Sequence, residues 1–181
     1  MSLEKRIEWD SYFIALARIA ASRSTCLSRK VGAIIVKENR VISTGYNGAL
    51  PGWEHCTELG YCKRRKRGFS NVDKYAGCVA NHAETNAILT AAKEGISLKD
   101  ATIYVTLFPC PLCMKQIIVA GIKEVVYEKD IEDEEIKKIT LEYARQSNIK
   151  IRQHQLKEEE IKELERYLSE DISKRKLQPT K

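Results

Sequence analysis

The sequence holds two motifs, His82-Ala-Glu84 and Pro109-Cys110-Pro-Leu-Cys113, whose side chains can share one metal ion only where the fold brings them together. Histidine and cysteine are zinc ligands, and a catalytic zinc site uses three protein ligands and keeps a fourth position for water. Bound zinc lowers the pKa of that water from ~15.7 to about 7. Glu84 lies too close to His82 to be needed as a ligand, so we expect it to carry protons. The alternative is a closed site in which Glu84 is a fourth ligand or a bystander.

The residues around both motifs predict a helix, a strand and a second helix. Residues 83–94 read as a helix closed by Gly95, residues 102–106 as a buried strand, and residues 110–121 as the second helix. Each set of ligands then lies at a helix N-terminus, where the helix dipole and free N–H groups favour thiolate and developing negative charge. Such a crossover can bring the two helix starts side by side at the ends of parallel strands.

The remaining patterns predict an α/β fold with a five-stranded mixed sheet and helices on both faces. We expect one domain over residues 1–181, with its core at about 5–153 and a charged C-terminal helix at about 156–173. An apolar line in that helix, which includes Ile161, Leu168 and Ile172, indicates packing on the domain or on a neighbouring subunit. The other predicted elements are a helix at 6–23, strands at 31–36 and 40–46 joined by a turn at 37–39, a strand at 123–127, a helix at 132–146 and an edge strand at 149–152.

Composition narrows the setting and the ligand class. No apolar run approaches the ~20 residues that a membrane span needs, and the N-terminus shows no secretory leader, so we expect a cytoplasmic protein. The six cysteines then indicate metal binding more than disulfides. A net charge of +6 suits an anionic substrate but does not select among phosphate monoesters, triphosphates and RNA.

Residues 49–81 form a long segment without periodicity that contains Cys56, Cys62 and Cys78. A segment of this length inside a compact domain is usually functional or is held in place by something, and a metal ion is one means. The segment also carries the basic run Lys63-Arg-Arg-Lys-Arg67. That run is either a solvated loop or a contact for the phosphates of a nucleotide.

These residues resemble the deoxycytidylate (dCMP) deaminases of the cytidine deaminase superfamily, from about Cys26 to Ile151. The H-A-E and P-C-x-x-C pair is shared with tRNA adenosine, guanine and riboflavin deaminases. The Gly45-Tyr-Asn-Gly48 segment and Asn86-Ala-Ile after the H-A-E motif are closer to dCMP deaminases. Free cytidine deaminases usually have cysteine where this chain has His82. The segment Cys26-Leu-Ser-Arg-Lys-Val-Gly-Ala-Ile-Ile, which includes most of the first predicted strand, and residues 104–113 also match.

The resemblance implies a three-layer α/β/α cytidine deaminase-like fold and hydrolytic deamination of dCMP to dUMP, which supplies dUMP for thymidylate synthesis. It implies that His82, Cys110 and Cys113 bind zinc. It also implies that Glu84 passes a proton from the attacking water to N3 of cytosine and then to the leaving ammonia. The implied substrate contacts are the backbone near Ala83, Thr106 and Phe108 at the pyrimidine edge, Asn47 at the sugar 3′-OH, and Ser28, Arg29 and Lys30 at the 5′-phosphate. Without the family context, Asn47-Gly48 is an ordinary turn.

Some relatives carry a second, structural zinc, and Cys26 and Cys56 lie where two of its ligands belong. Cys62 and Cys78 would complete a tetrahedral Cys₄ site, and His55 could replace one thiolate. The alternative is four reduced thiols without a metal.

Many members of the family are regulated and form homohexamers. In them dCTP with Mg²⁺ activates and dTTP inhibits, through a site that here corresponds to Gly45, Tyr46, Asn47 and Gly48.

Three other functions compete with a deaminase that is specific for dCMP. An enzyme that accepts dCTP as well as dCMP would keep every motif named above. A tRNA or nucleic-acid editing deaminase would suit the basic charge, but the aromatic content is only 7%, which is low for a groove that stacks flipped bases, so we do not expect a nucleic-acid partner. A non-enzymatic zinc-stabilised protein is disfavoured because His82, Glu84, Cys110 and Cys113 are all present.

Overall fold

The computed structural model describes residues 6–69 and 77–170. In chain order its elements are α1 (Trp9–Ala21), β1 (Gly32–Lys37), β2 (Arg40–Tyr46), β3 (Gly48–Ala49), α2 (Cys56–Leu59), α3 (Lys63–Lys66), β4 (Ala80–Asn81), α4 (Ala83–Lys93), β5 (Thr102–Leu107), α5 (Pro111–Val119), β6 (Glu124–Lys129), α6 (Glu134–Gln146), β7 (Lys150–Gln153) and α7 (Glu158–Ser169).

Five strands form one mixed sheet, as the sequence predicted, and their order is β2-β1-β5-β6-β7. β1 is antiparallel to both of its neighbours, whereas β5, β6 and β7 run parallel to one another. β2 and β5 therefore point the same way with β1 between them. The start of β1 and the ends of β2, β5 and β6 consequently lie at one edge of the sheet, which we call the carboxyl edge.

The two faces of the sheet are covered by different helices. α1 buries Phe13, Ile14 and Ala17 against one face, beside Ile34 and Val126. The helices that carry the zinc motifs cover the other face, together with α6. The buried residues of this second core include Ile35, Ala87, Ala91, Ile103, Met114, Ile117 and Ala144. Full burial of each large aliphatic side chain stabilises the fold by about 1.5–3 kcal/mol, so both helix layers are held firmly to the sheet.

Two glycines let helices lie directly on the strands. A Cβ atom at Gly32 would be 2.0 Å from the carbonyl oxygen of Ala17 in α1. A Cβ atom at Gly45 would be 2.2 Å from the carbonyl oxygen of Ala83 in α4. Neither glycine has a positive φ, so lack of a side chain is what these positions require.

Polar side chains join the N-terminal helix to the last strand and to α7. Arg152 donates to both carboxylate oxygens of Asp10, at 2.6 and 2.9 Å, and Tyr104 donates to Asp10 at 2.9 Å. The buried hydroxyl of Ser11 lies 2.8 Å from His154 and donates to Glu160 at 2.6 Å. These contacts place α7 beside α1.

The segment at 49–81 contains more structure than its lack of periodicity predicted. It includes the one-turn helices α2 and α3 and a two-stranded ladder in which Gly48 pairs with Asn81 and Ala49 with Ala80. Such short elements leave no periodic trace, because long-range contacts hold them and no amphipathic pattern is needed.

Most predicted elements are confirmed, with boundaries that shift by one to three residues. α1 begins at Trp9 instead of residue 6, since Glu8 is its extended N-cap. Leu141 of α6 is 39% exposed, because Thr140 and Ala144 form the fully buried face. α7 ends at Ser169, and Ile172 lies outside the described residues. Over residues 6–69 and 77–170, no helix combines the length and apolarity that crossing a bilayer would require.

Candidate metal centre and active site

His82, Cys110 and Cys113 meet at the carboxyl edge of the sheet. His82 is the N-cap of α4 and Cys110 is the N-cap of α5, so both ligand sets lie at helix starts as predicted. Nδ1 of His82 is 3.3 Å from Sγ of Cys113 and 3.6 Å from Sγ of Cys110. All three donor atoms lie within 4.8 Å of one another.

These distances fit a zinc ion. Bonds of about 2.0–2.3 Å at tetrahedral angles place neighbouring donor atoms about 3.5 Å apart, which matches the two measured separations. One imidazole and two thiols are also the soft and borderline donors that zinc prefers. Three protein donors leave one tetrahedral position for water, so the donor set is that of a catalytic zinc centre.

The thiols of Cys110 and Cys113 have pKa values that are shifted in opposite directions. A hydrogen bond from the Cys113 thiol lowers the pKa of Cys110 to about 3, while the pKa of Cys113 is raised by the same hydrogen bond and by burial. The N-terminus of α5 adds free N–H groups near Cys110, which also favour thiolate. Cys110 is therefore the thiol that loses its proton more readily, and a bound cation would favour loss of the second proton.

Glu84 lies on the first turn of α4, and its side chain is only 4% exposed. Burial raises the pKa of its carboxyl, and the positive charge of His82 opposes that shift. The neighbouring thiol of Cys113 lowers the pKa of this carboxyl, so Glu84 lies beside the metal centre. A buried carboxyl that holds its proton more readily than usual, beside a metal centre, is suited to accept and return protons.

A cavity of about 560 Å³ opens at the same edge, on the α1 side of the sheet. The predicted phosphate residues Arg29 and Lys30 line it, and so does Thr106, which lies four residues before Cys110. Ser28 is exposed next to them and is not part of the lining. The hydroxyl of Thr106 accepts the N–H of Gly32 at 3.1 Å, which ties β5 to the start of β1.

The opposite wall of this cavity was missed from the sequence. It is formed by the end of β6 and the following turn, from Glu128 to Glu132. Glu128 is only 3% exposed and forms an ion pair with Arg18 of α1. A sequence signal existed, because Glu128 follows Val126 by two residues and so faces the same buried side of the strand.

The predicted base contacts have different surroundings. Ala83 is the fully buried first residue of α4. Phe108 is buried against Tyr127, with ring centroids 4.9 Å apart, and its N–H donates to the carbonyl of Lys129 at 2.8 Å. The backbone N–H of Phe108 is therefore already used within the protein.

Asn47 is buried, and its side chain is bonded to the loop that follows α1. Oδ1 accepts the N–H of Val31 at 2.8 Å and the hydroxyl of Ser24 at 2.7 Å. Nδ2 donates to the carbonyl of Arg29 at 2.8 Å. Ser24 could not be predicted as a partner of Asn47, because the contact joins residues 23 positions apart.

The other residues of the predicted effector segment surround Asn47. Gly45 packs on α4, Gly48 is buried, and Tyr46 is 38% exposed. The carbonyl of Tyr46 accepts from the Asn86 side chain at 2.7 Å. This segment is therefore attached to the helix that carries His82.

The four remaining cysteines are close enough to influence the pKa of Cys78, but their sulfur atoms do not all lie within 4.8 Å of one another. Burial raises the pKa of Cys78, and nearby Cys26, Cys62 and Cys56 raise it further. In the described ranges, the only group of three or more metal-binding side chains whose donor atoms fall within 4.8 Å is that of His82. All six cysteines are free thiols.

Local hydrogen bonds nevertheless prepare some of these thiols for a cation. Sγ of Cys26 accepts the N–H of Ser28 at 3.4 Å. Burial opposes ionisation of Cys62, but N–H groups of Arg65 and Arg64 outweigh it and lower the pKa of the thiol. His55 lies 3.0 Å from the hydroxyl of Thr25, next to Cys26.

Comparison with known proteins agrees with this geometry. Residues 7–129 match the family model described as the cytidine and deoxycytidylate deaminase zinc-binding region. The chain belongs to the cytidine and deoxycytidylate deaminase family. The match covers both zinc motifs and every strand from β1 to β6.

Named members of this deaminase family are similar over much of the chain. The deoxycytidylate deaminase of Mycobacterium phage D29 is 45% identical over 130 residues, which are 69% of this chain and 98% of the phage protein. The deoxycytidylate deaminase of Saccharomyces cerevisiae is 41% identical over 155 residues, 85% of this chain and 47% of the yeast protein. The chain spans less than half the length of the yeast relatives that it matches.

A solved structure of a member of the family confirms the architecture. The dCMP deaminase of cyanophage S-TIM5, solved in complex with dCMP and dUMP, superposes with a TM-score of 0.65 over 83% of this chain and all of that chain. The two sequences are 24% identical, so the likeness establishes the cytidine deaminase-like fold.

Proposed function

We propose that this protein is a zinc-dependent dCMP deaminase, which hydrolyses dCMP to dUMP and ammonia. The observation that carries the proposal is the buried Glu84 carboxyl, two residues after His82 on the first turn of α4, beside the centre formed by His82, Cys110 and Cys113. The names of the relatives with 41–45% identity favour dCMP over other cytosine compounds. The product dUMP would supply thymidylate synthesis.

His82, Cys110 and Cys113 would hold the zinc ion, which when bound makes water a nucleophile near neutral pH. Glu84 takes a proton as water adds to C4 of cytosine, and donates it to N3. It then transfers the proton of the new C4 hydroxyl to the C4 amino group, which leaves as ammonia while the C4 carbonyl forms. Positioned proton transfer of this kind contributes about 10²–10⁴ in rate.

We assign the base to the metal centre and the 5′-phosphate to the adjacent cavity. The volume of about 560 Å³ lies within the range for small-ligand sites, about 300–1,000 Å³. Arg29 and Lys30 supply positive charge on one wall, with the exposed Ser28 beside them. Ala83, Thr106 and Phe108 would border the pyrimidine, and the remaining N–H of Asn47 can donate to the sugar 3′-OH.

A second, structural zinc is also part of the proposal. Cys26, Cys56, Cys62 and Cys78 would be its ligands, and His55 is the substitute for one thiolate. The mutual influence of the four thiols and the N–H groups that surround Cys26 and Cys62 support it. A reducing cytoplasmic setting would keep these thiols available to a metal ion.

Regulation and assembly are proposed by analogy with the family. Activation by dCTP with Mg²⁺ and inhibition by dTTP would act through residues Gly45 to Gly48. These residues contact α4 and the loop beside the cavity, so an effector bound there would reach both halves of the active site. A homohexamer is the expected assembly.

A substrate panel tests the proposal. The ultraviolet change from cytosine to uracil is followed for dCMP, dCTP, CMP and deoxycytidine, each with and without dCTP or dTTP plus Mg²⁺. Turnover of dCMP that dCTP raises is the expected result. Equal turnover of dCTP would indicate the broader enzyme. No turnover of any mononucleotide by zinc-loaded protein would contradict the proposal and favour a nucleic-acid substrate.

A further inference from the structure

The loop between α1 and β1 is fastened at three points by one buried side chain. Asn47 uses three of the four hydrogen-bonding positions of its amide, on the N–H of Val31, the carbonyl of Arg29 and the hydroxyl of Ser24. Its backbone N–H also donates to the carbonyl of Val31 at 3.1 Å. Lys30 is thus bracketed on both sides by residues bonded to Asn47.

Ser24, which follows the end of α1, completes this set of hydrogen bonds around Asn47, which we call the lock. It is only 4% exposed, and besides donating to Asn47 its oxygen accepts the N–H of Cys26 at 3.3 Å. A buried hydroxyl with two partners fixes the amide in the orientation that serves Val31 and Arg29. Ser24 itself does not line the cavity.

The fastened segment carries two of the positive charges that line the cavity, whereas Lys129 and Glu132 line the opposite wall. Arg18 is paired with Glu128, and Asp130 with Lys137. Within residues 6–69 and 77–170, Arg29 and Lys30 have no acidic side chain within 4 Å, so their charge is available to an anion. Both side chains are exposed and long, and their placement therefore depends on the backbone that Asn47 holds.

We propose that Ser24 and Asn47 are positioning residues, which set the preference for a nucleotide over a nucleoside by holding Arg29 and Lys30 toward the 5′-phosphate. The inference rests on the proposed dCMP deaminase function. This role is additional to the proposed contact of Asn47 with the sugar 3′-OH, because that contact would serve nucleotide and nucleoside alike. The placement of Arg29 and Lys30 affects binding only of substrates that carry a phosphate.

Ser24→Ala is the informative variant, because Ser24 touches no part of the substrate in this account. Loss of one of the two hydrogen bonds to Oδ1 of Asn47 should raise KM for dCMP about tenfold, with kcat unchanged within about twofold. The kcat/KM for deoxycytidine should not change. Ser22→Ala is the matched control, since the Ser22 hydroxyl bonds only to Ile19 at the exposed end of α1.

A double-mutant cycle distinguishes placement of Arg29 and Lys30 from a role in binding the sugar. It requires only one substrate, dCMP. Arg29→Gln combined with Lys30→Gln removes the charges that the lock is proposed to place. Adding Ser24→Ala to that background should change KM by less than about twofold, because the lock then has nothing to position. The same cycle is repeated with Asn47→Ala.

Two outcomes would overturn the inference while leaving the proposed function intact. One is a full additional tenfold effect of Ser24→Ala in the charge-free background. The other is an equal loss for dCMP and deoxycytidine. Failure of the wild-type protein to turn over any cytosine nucleotide would instead overturn the proposed function, and the inference with it.

Discussion

Gly45→Ala should displace α4 from the sheet and so disturb the metal centre. The new methyl group would lie 2.2 Å from the carbonyl oxygen of Ala83 and 2.5 Å from the N of Ala87, and contacts below about 3.0 Å force the backbone to move. α4 must therefore shift by about 1 Å, taking His82 and Glu84 with it. Overpacking of this kind costs about 1–3 kcal/mol. At about 2–4 °C per kcal/mol for a domain of this size, Tm should fall by about 2–12 °C.

Gly32→Ala is the matched control for this experiment. Its methyl group would lie 2.0 Å from the carbonyl oxygen of Ala17, so it should destabilise the fold by a similar amount through α1. α1 carries no zinc ligand. Thermal denaturation and a zinc-affinity titration on both variants separate the effects, because only Gly45→Ala should weaken zinc binding, by about tenfold or more. Wild-type zinc affinity in Gly45→Ala would refute the coupling.

Other contacts give three further predictions. Hydrogen bonds from Arg152 hold the pKa of Asp10 below its usual range, so its stabilisation is present above about pH 4 and is lost as pH falls through the folded-state pKa. In urea denaturation, Asp10→Asn should therefore cost about 1 kcal/mol at pH 7 and less near pH 3; an equal cost at both would contradict this. Cys62→Ser should lower bound zinc from about two ions per chain to about one by elemental analysis, with Glu84-dependent turnover retained. A chelator should lower Tm, and added zinc should restore it; an unchanged Tm would argue against bound zinc.

The metal centre could be predicted from the sequence because its information is local. The ligands lie at the starts of two helices whose spacing and closing residues are visible in the chain, and β5 lies between those helices. β5 ends shortly before Cys110, and the pairing of Gly48 with Asn81 places His82 at the edge where β2 and β5 both end. Local signals and the topology therefore agree at His82, Cys110 and Cys113.

The second half of the site depended on contacts that no local pattern encodes. The partners of Asn47 come from a loop up to 23 residues away, and the far wall of the cavity comes from the end of β6. The Gly45-Tyr-Asn-Gly48 segment suggested an effector site, but the space it leaves for α4 becomes visible only when the helix is in place. Tertiary contacts of this kind are decided by packing and not by periodicity.

Proton transfer by Glu84 at a zinc centre is tested most directly when dCMP conversion and zinc content are measured together, in the wild-type protein and in Glu84→Gln. We predict that the wild-type protein releases one ammonia for each dUMP formed. We also predict that Glu84→Gln keeps its zinc and its fold but loses at least about 10²–10⁴ in rate, because the proton carrier is gone. A zinc-loaded Glu84→Gln variant that turns over dCMP at the wild-type rate would contradict the account.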